Sequence, residues 1–276
     1  MLRFMSGSQL LDFPRFFVAV GLFLLLGTGR LVGEPSAAAV SSFNSYVSGV
    51  EARLERQHGS REDFLELGTP GSESALRLRR GELVVEQLTP SSAADFSGAL
   101  LHHWRGTAFV PGARAADFER LLRDFDAYPQ RFAPEVVQAR VLARGDDYLQ
   151  AEMRMRQKHV ITVVMDATYD VRFGRLDARH GFSASRSMRI SEIEAVGTDK
   201  ERGLSSNEEH GFLWRLNTYW SYEERDGGLY VQIETVSLSR AIPAGLGWAL
   251  RPYVESVPRE SLEFTLRRAR EAMEKS

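Results

Sequence analysis

The sequence predicts an α+β fold in which a curved antiparallel sheet of six to seven strands wraps around one long C-terminal helix. Three observations predict it. From about residue 137 to residue 240, apolar residues recur at every second position in one segment after another, with short polar turns between them, which is the period of half-buried strands. Two short helical segments follow the first strand. A long helical pattern closes the chain: Leu246, Ala249, Leu250, Tyr253, Val254 and Val257, then Leu262, Leu266, Ala269 and Met273 after Pro258, keep 3.6-residue spacing. Strands that succeed one another through short turns pair antiparallel. An apolar sheet face of that length needs a cover, and the C-terminal helix has the size to supply it.

Taken in order, the chain opens with Arg3 and Arg15 and an unbroken apolar run from Phe16 to Leu26. Eleven residues suit the apolar core of a signal peptide and fall short of the roughly 20 that span a bilayer. Ala37 and Ala39 give a small-x-small cleavage pattern, so residues 1–39 are expected to be a signal peptide cut after Ala39, with a cut after Gly29 as the second option. An uncleaved anchor extended by Gly27–Gly33 is the competing reading, and Arg30 counts against it. A periplasmic or secreted location follows from cleavage. Residues 40–97 form an N-terminal extension. Phe43, Val47, Val50 and Leu54 predict a short amphipathic helix over Ser42–Gln57; residues 58–78 read as a loop broken at Gly68-Thr69-Pro70-Gly71; Leu83-Val84-Val85 reads as a strand. The extension is either a small add-on packed on the main domain or a linker.

Residues 98–276 form the main domain. Leu100 to Val110 reads as a strand stopped by Pro111-Gly112. Phe118, Leu121, Leu122 and Phe125 mark a helix, and a second short one runs to Phe132. Val137, Ala139 and Val141 alternate, as do Leu149, Ala151, Met153 and Met155 beyond the turn at Gly145-Asp146-Asp147. Ile161 to Phe173 continues the alternation. Phe182, Ala184, Met188 and Ile190 share a face that is read as inward, with Arg186 among them. A polar loop spans Gly197–Gly211. Trp214, Leu216, Trp220 and Tyr222 then alternate with Arg215, Asn217 and Tyr219, and Leu229–Arg240 is the last strand.

Composition narrows function by exclusion. The 276 residues carry a net charge of −2, are 43% hydrophobic and 26% charged, and contain no cysteine. Disulfides, thiolate metal sites and thiol nucleophiles are therefore excluded. Near-neutral charge gives no general attraction to nucleic acid, and Arg79-Arg80 and Arg267-Arg268 are too short for a nucleic-acid stripe. There is no nucleophile elbow and no phosphate-binding loop. The histidines (His58, His102, His103, His159, His180 and His210) show no metal-ligand spacing on a helix, so neither a metal nor a cofactor is expected.

The words Thr107-Ala108-Phe109-Val110-Pro111-Gly112, Ala116-Asp117-Phe118, Leu121-Leu122-Arg123-Asp124-Phe125-Asp126-Ala127-Tyr128-Pro129, Trp220-Ser221-Tyr222-Glu223-Glu224 and Ser239-Arg240-Ala241-Ile242-Pro243 follow in this element order. The chain from about residue 98 to its end thereby resembles the START-like superfamily (SRPBCC, helix-grip), and within it the polyketide cyclase/coenzyme-Q-binding type. The resemblance implies a cavity between sheet and helix for a hydrophobic small molecule: a lipid, a quinone or a polyketide-like compound. It implies membrane contact only through the leader or transient lipid exchange.

The residues expected to line that cavity are Trp104, Tyr128, Phe132, Met153, Met155, Met165, Tyr169, Arg186, Trp214, Trp220, Tyr222 and Trp248. Aromatic rings and methionines supply adaptable apolar walls, and ordinary core packing is the competing reading for each. Arg186, on an apolar face, must meet a carboxylate such as Glu234 or a ligand head group. Binding or carriage without catalysis is the leading expectation. The alternative is a cyclase- or aromatase-like enzyme, which needs a polar acid/base pair inside the cavity, for which His159, Arg186 or Asn217 with Tyr219 would have to converge. A structural envelope protein with a collapsed cavity is the third.

Overall fold

The computed structural model describes residues 33–69, 71–90, 96, 98–158, 162–242 and 247–275, without the side chains of 247–255. The apolar leader run and His159 lie outside the described residues. The elements are α1 (Ala37–His58), α2 (Glu73–Arg79), β1 (Val84–Gln87), β2 (Ala99–Pro111), α3 (Ala115–Arg123), a 3-10 turn (Phe125–Ala127), α4 (Tyr128–Arg131), β3 (Val136–Arg144), β4 (Tyr148–Lys158), β5 (Thr162–Arg175), β6 (His180–Glu194), β7 (Arg202–Gly203), β8 (Arg215–Arg225), β9 (Gly228–Arg240) and α5 (Gly247–Glu274). No helix among the described residues is long and apolar enough to cross a membrane.

One antiparallel sheet runs in the order β1-β2-β9-β8-β6-β5-β4-β3, with β7 paired to β6. The nine strands exceed the six to seven expected because the extension adds β1 at one edge and the polar loop adds the two-residue β7. Asp226 and Gly227, both at positive φ (57° and 73°), make the two-residue turn that closes the β8–β9 hairpin. The closing helix is continuous from Gly247 to Glu274, not two segments divided at Pro258. Pro258 brings no N–H to the helix, and the buried face beyond it, Leu262, Leu266, Ala269 and Met273, holds the helix against the sheet.

The gripping contact is localised. Leu262, Leu266, Ala269 and Met273 are buried on α5 and pack on the inner face of β2, where Gly106 leaves a dent. A Cβ at position 106 would lie 2.4 Å from Leu262 Cδ2 and 3.1 Å from Leu266 Cδ2. Helix α3 closes the other end of the core, with Phe118 edge-on to both Trp220 and Tyr222.

The extension settles onto the outer face of the sheet. Ser36 caps α1, its Oγ accepting from Ala39 N at 3.1 Å. Ala39, Phe43, Val47, Val50 and Leu54 then fall on one stripe and pack against Leu101, Trp214, Tyr219, Val236 and Leu238. The segment read as a loop contains α2, capped by Ser72 through Ala75 N at 3.3 Å. Phe64, Leu65, Leu67 and Leu78 form a second outer cluster with Phe109 and Tyr230. The sheet is therefore apolar on both faces, which bears directly on the residues chosen for the cavity.

Polar groups lie beneath α1 as well. Glu234, 2% exposed, accepts from Arg53 and meets His103 Nε2 at 3.0 Å, while His103 Nδ1 is joined to Tyr46 Oη at 2.8 Å. Arg105 pairs with Glu66 and, at 3.0 Å, with Glu86. Arg186 Nε reaches Glu51 at 2.6 Å, and Tyr219 Oη donates to the same carboxylate at 2.9 Å.

Candidate functional site

A cavity of about 410 Å³ lies between the inner face of the sheet and α5. That is within the roughly 300–1,000 Å³ of small-molecule sites. Four groups of residues build it. Leu122, Phe125, Tyr128 and Phe132 come from the helical segments after β2; Met153, Met155, Val163, Tyr169 and Val171 come from β4 and β5. Leu262, Phe264, Val257 and Pro258 descend from α5. The floor is β6, β8, β9 and β2, which contribute Leu216, Trp220 and Ile233 together with polar side chains: Ser183, Ser185, Thr218, Thr235, Ser237, Ser239 and His102.

Of the twelve residues expected there, Tyr128, Phe132, Met153, Met155, Tyr169 and Trp220 line the cavity. Trp104, Met165, Arg186, Trp214 and Tyr222 do not, for identifiable reasons. Trp104, Met165 and Tyr222 face inward but are consumed in the core, Tyr222 packing on Phe118 and bonding to Glu119 at 3.4 Å. Trp214 precedes β8 and turns outward into the cluster under α1, where its Nε1 donates to Gly33 O at 2.9 Å. Arg186 also faces outward, onto Glu51 and not Glu234. The whole Phe182–Ala184–Arg186 face is outer, and Met188 is 57% exposed beside a register shift opposite Thr168/Tyr169. Trp248 lies outside the described side chains.

The described members of the polar set expected for catalysis come together outside the cavity. Arg186, Asn217 and Tyr219 meet one another and Glu51 on the outer face, with Asn217 Nδ2 donating to Tyr219 Oη at 3.2 Å. No group of metal-ligating side chains occurs among the described residues.

Besides Tyr128 and Tyr169, two titratable groups that sequence reasoning does not assign to the cavity face it. His102 sits on the inner side of β2, its Nε2 3.3 Å from Ser239 Oγ. Burial pushes its pKa down to about 4, so it is neutral. Glu135, between α4 and β3, is pushed up to about 7 by burial, against a 3.3 Å hydrogen bond donated by Ser261. Gln157 Nε2 holds Ser261 Oγ at 3.4 Å. Burial likewise raises the phenols of Tyr128 and Tyr169, which bond to Leu122 O at 3.1 Å and Met155 Sδ at 3.6 Å.

These two groups give opposite pH dependences. His102 is depressed from 6.5, so its contribution to stability is complete above that pH and is lost as pH falls toward 4. At about 1.4 kcal/mol per pH unit this amounts to about 3–4 kcal/mol. His102→Gln should therefore gain melting temperature relative to the wild type as pH falls from 7 to 4. Glu135 is raised from 4.5 to about 7, so its contribution is present below 4.5 and lost as pH rises through 7. Glu135→Gln should remove a decline in stability between pH 5 and 8; an unchanged alkaline limb would contradict the assignment.

The residues missed by sequence reading left a faint signal. Thr235-Val236-Ser237-Leu238-Ser239 and Ser183-Ala184-Ser185 alternate small hydroxyls with apolar residues. In a sheet with one covered face the apolar residues would be the inner ones. Here the extension covers the opposite face, and the hydroxyls point in.

A curved antiparallel sheet gripping a C-terminal helix, with two short helices after the long second strand and a cavity between sheet and closing helix, is the helix-grip architecture that the sequence leads one to expect. No known family model matches the chain, and no curated protein matches it. Among solved structures it is similar to a Thermus thermophilus protein at 16% identity over 61% of this chain and 94% of that one, TM-score 0.44. It is also similar to a STAR-related lipid transfer protein fragment of Xanthomonas axonopodis (16% identity, 66% of this chain and 98% of that one, TM-score 0.40). A third is the Zhui aromatase/cyclase of a Streptomyces species (17% identity, 62% and 93%, TM-score 0.43). The likeness is one of fold.

Proposed function

We propose that this protein binds or carries a hydrophobic small molecule in the cavity beneath α5, without catalysing its conversion. The observation that carries the reading is the cavity itself: about 410 Å³ of space walled largely by aromatic, methionine and aliphatic side chains. A core that served only stability would close such a space, since each lining atom without a neighbour forfeits contact energy. Burial of an apolar ligand contributes affinity at about 25 cal/mol per Å². The separation of Arg186, Asn217 and Tyr219 from the cavity supports binding over the cyclase-like alternative.

Uptake of the fluorophore N-phenyl-1-naphthylamine tests this. The wild type should bind it with saturable enhancement, and Thr218→Trp, which places an indole in the middle of the floor, should abolish binding while leaving the fold intact. Equal binding by both proteins would place the fluorophore elsewhere and defeat the reading.

Export is the second part of the proposal, supported by the charged and apolar leader. The Ser36 cap and the burial of Ala39 support the earlier of the two cuts, after Gly29, because a cut after Ala39 removes both. N-terminal sequencing of mature protein should begin at Arg30. A start at Val40 would favour the later cut, and a start at Met1 would end the cleavage claim.

A further inference from the structure

The cavity has two chemically different sides. Leu122, Phe125, Phe132, Met153 and Phe264 make one side mainly apolar, and the polar lining from the same elements, Glu135, Gln157, Ser261 and Thr265, is hydrogen-bonded within itself. Facing them, Ser183, Ser185, Thr218, Thr235 and Ser237 present five hydroxyls from three adjacent strands. Ser185 pairs with Thr218 and Thr218 with Thr235, so these three form one cross-strand row. All three are half-buried although they lie on the inner face, and the space they are exposed to is the cavity. Ser239, next along β9, bonds to His102, and Ser187, next along β6, accepts from Leu216 N at 2.9 Å. The five hydroxyls between them make no side-chain hydrogen bond among the described residues.

A hydroxyl facing an apolar space without a partner costs free energy that alanine or valine would not. The row therefore stores unmet hydrogen-bonding capacity along a defined line. Neighbouring strands lie about 4.7–4.9 Å apart, so three positions of the row span about 9–10 Å.

Resting on the reading of the cavity as a binding site, we propose that its ligand belongs to a narrower class: an uncharged apolar molecule carrying two or more hydroxyl or carbonyl oxygens along one edge, spaced to meet the Ser185–Thr218–Thr235 row, with bare hydrocarbon along the opposite edge. A saturated acyl chain offers no oxygen to this row. An unsubstituted hydrocarbon leaves every hydroxyl of the row unpaired.

Displacement of N-phenyl-1-naphthylamine from the full chain tests the class with three competitors: 1,8-dihydroxy-9-anthrone, whose three oxygens share one edge, anthracene and palmitate. The oxygenated ring system should displace the fluorophore at least about tenfold more tightly than the hydrocarbon, the gain expected of one to two net hydrogen bonds. In the double variant S185A/T235V that advantage should vanish, the oxygenated compound and anthracene displacing the fluorophore equally. Because the variant removes only unpaired hydroxyls, its melting temperature without competitor should match or exceed that of the wild type. T218V alone gives the same readout should the double variant fold poorly. If anthracene or palmitate competes as well as the oxygenated compound, or if the variants keep the preference, the ligand class is wrong and the binding site stands. If the wild type takes up neither fluorophore nor competitor, the reading of the cavity falls with it.

Discussion

Truncating Leu266 to alanine is expected to cost about 2–5 kcal/mol of stability, the range for large-to-small changes in a closed core. Leu266 is fully buried and, with Leu262, occupies the dent that Gly106 leaves on β2. This is where the helix is held to the sheet, so the lost methyl groups leave a hole that β2, paired on both sides, cannot collapse to fill. Urea unfolding should show a lower midpoint with an unchanged slope. The complementary change, Gly106→Val, pushes in the other direction. Its side chain would enter space held by Leu262 and Leu266, and overpacking of this kind costs about 1–3 kcal/mol. Fluorophore uptake should fall with it, because lifting α5 opens the cavity to water. A Gly106→Val protein with wild-type stability and uptake would show that the helix is not seated there.

The second large effect is expected at Glu234. Its carboxylate lies between β2 and α1 and is shared by Arg53 and His103, with Arg105 at 3.9 Å. Glu234→Ala leaves these groups beneath the extension without their common anion, and breaking a buried pair from one side costs about 3–5 kcal/mol. Replacement by glutamine keeps the shape and some hydrogen bonding and should cost less. Burial opposes ionisation of Glu234, but the hydrogen bond from His103 and the charge of Arg53 outweigh it and hold the carboxyl below its ordinary value. A depressed carboxyl contributes stability that is present above the unfolded value of 4.5 and lost as pH falls below it. His58, stacked on Phe182 and pushed down to about 4 by burial, adds a loss between pH 6.5 and 4 in the same direction. Acidification should therefore loosen the extension, and protease cleavage within residues 58–72 should accelerate below pH 5. Equal cleavage at pH 7 and pH 4 would contradict this.

Much of the architecture was legible because it rests on local periodicity. The seven long strands of the main domain, the two short helices after β2 and the closing helix all follow from spacing that any solvent-facing element must show. The extension helix was legible for the same reason, from Phe43, Val47, Val50 and Leu54. What could not be read was the covering of the sheet's outer face. Once α1 packs there, apolarity no longer separates inside from outside, and Trp214, Phe182 and Arg186 were assigned inward on a criterion that had lost its meaning. The register shift beside Met188 compounded this, since one extra residue exchanges the two faces. The aromatic half of the cavity was found from residue type, while the hydroxyl row was hidden by the expectation that inward means apolar. Glu135 gave no sequence signal, because its environment is made by Ser261 and Gln157, more than a hundred and about twenty residues away.

The central claim is that the space under α5 holds a hydrophobic molecule. Native mass spectrometry of the purified chain, before and after organic extraction, tests it most directly. The wild type is expected to carry a small molecule in one-to-one ratio that extraction removes, and Thr218→Trp is expected to carry none. Wild-type protein that repeatedly emerges at its bare chain mass, together with a crystal structure in which side chains fill the cavity, would contradict the account.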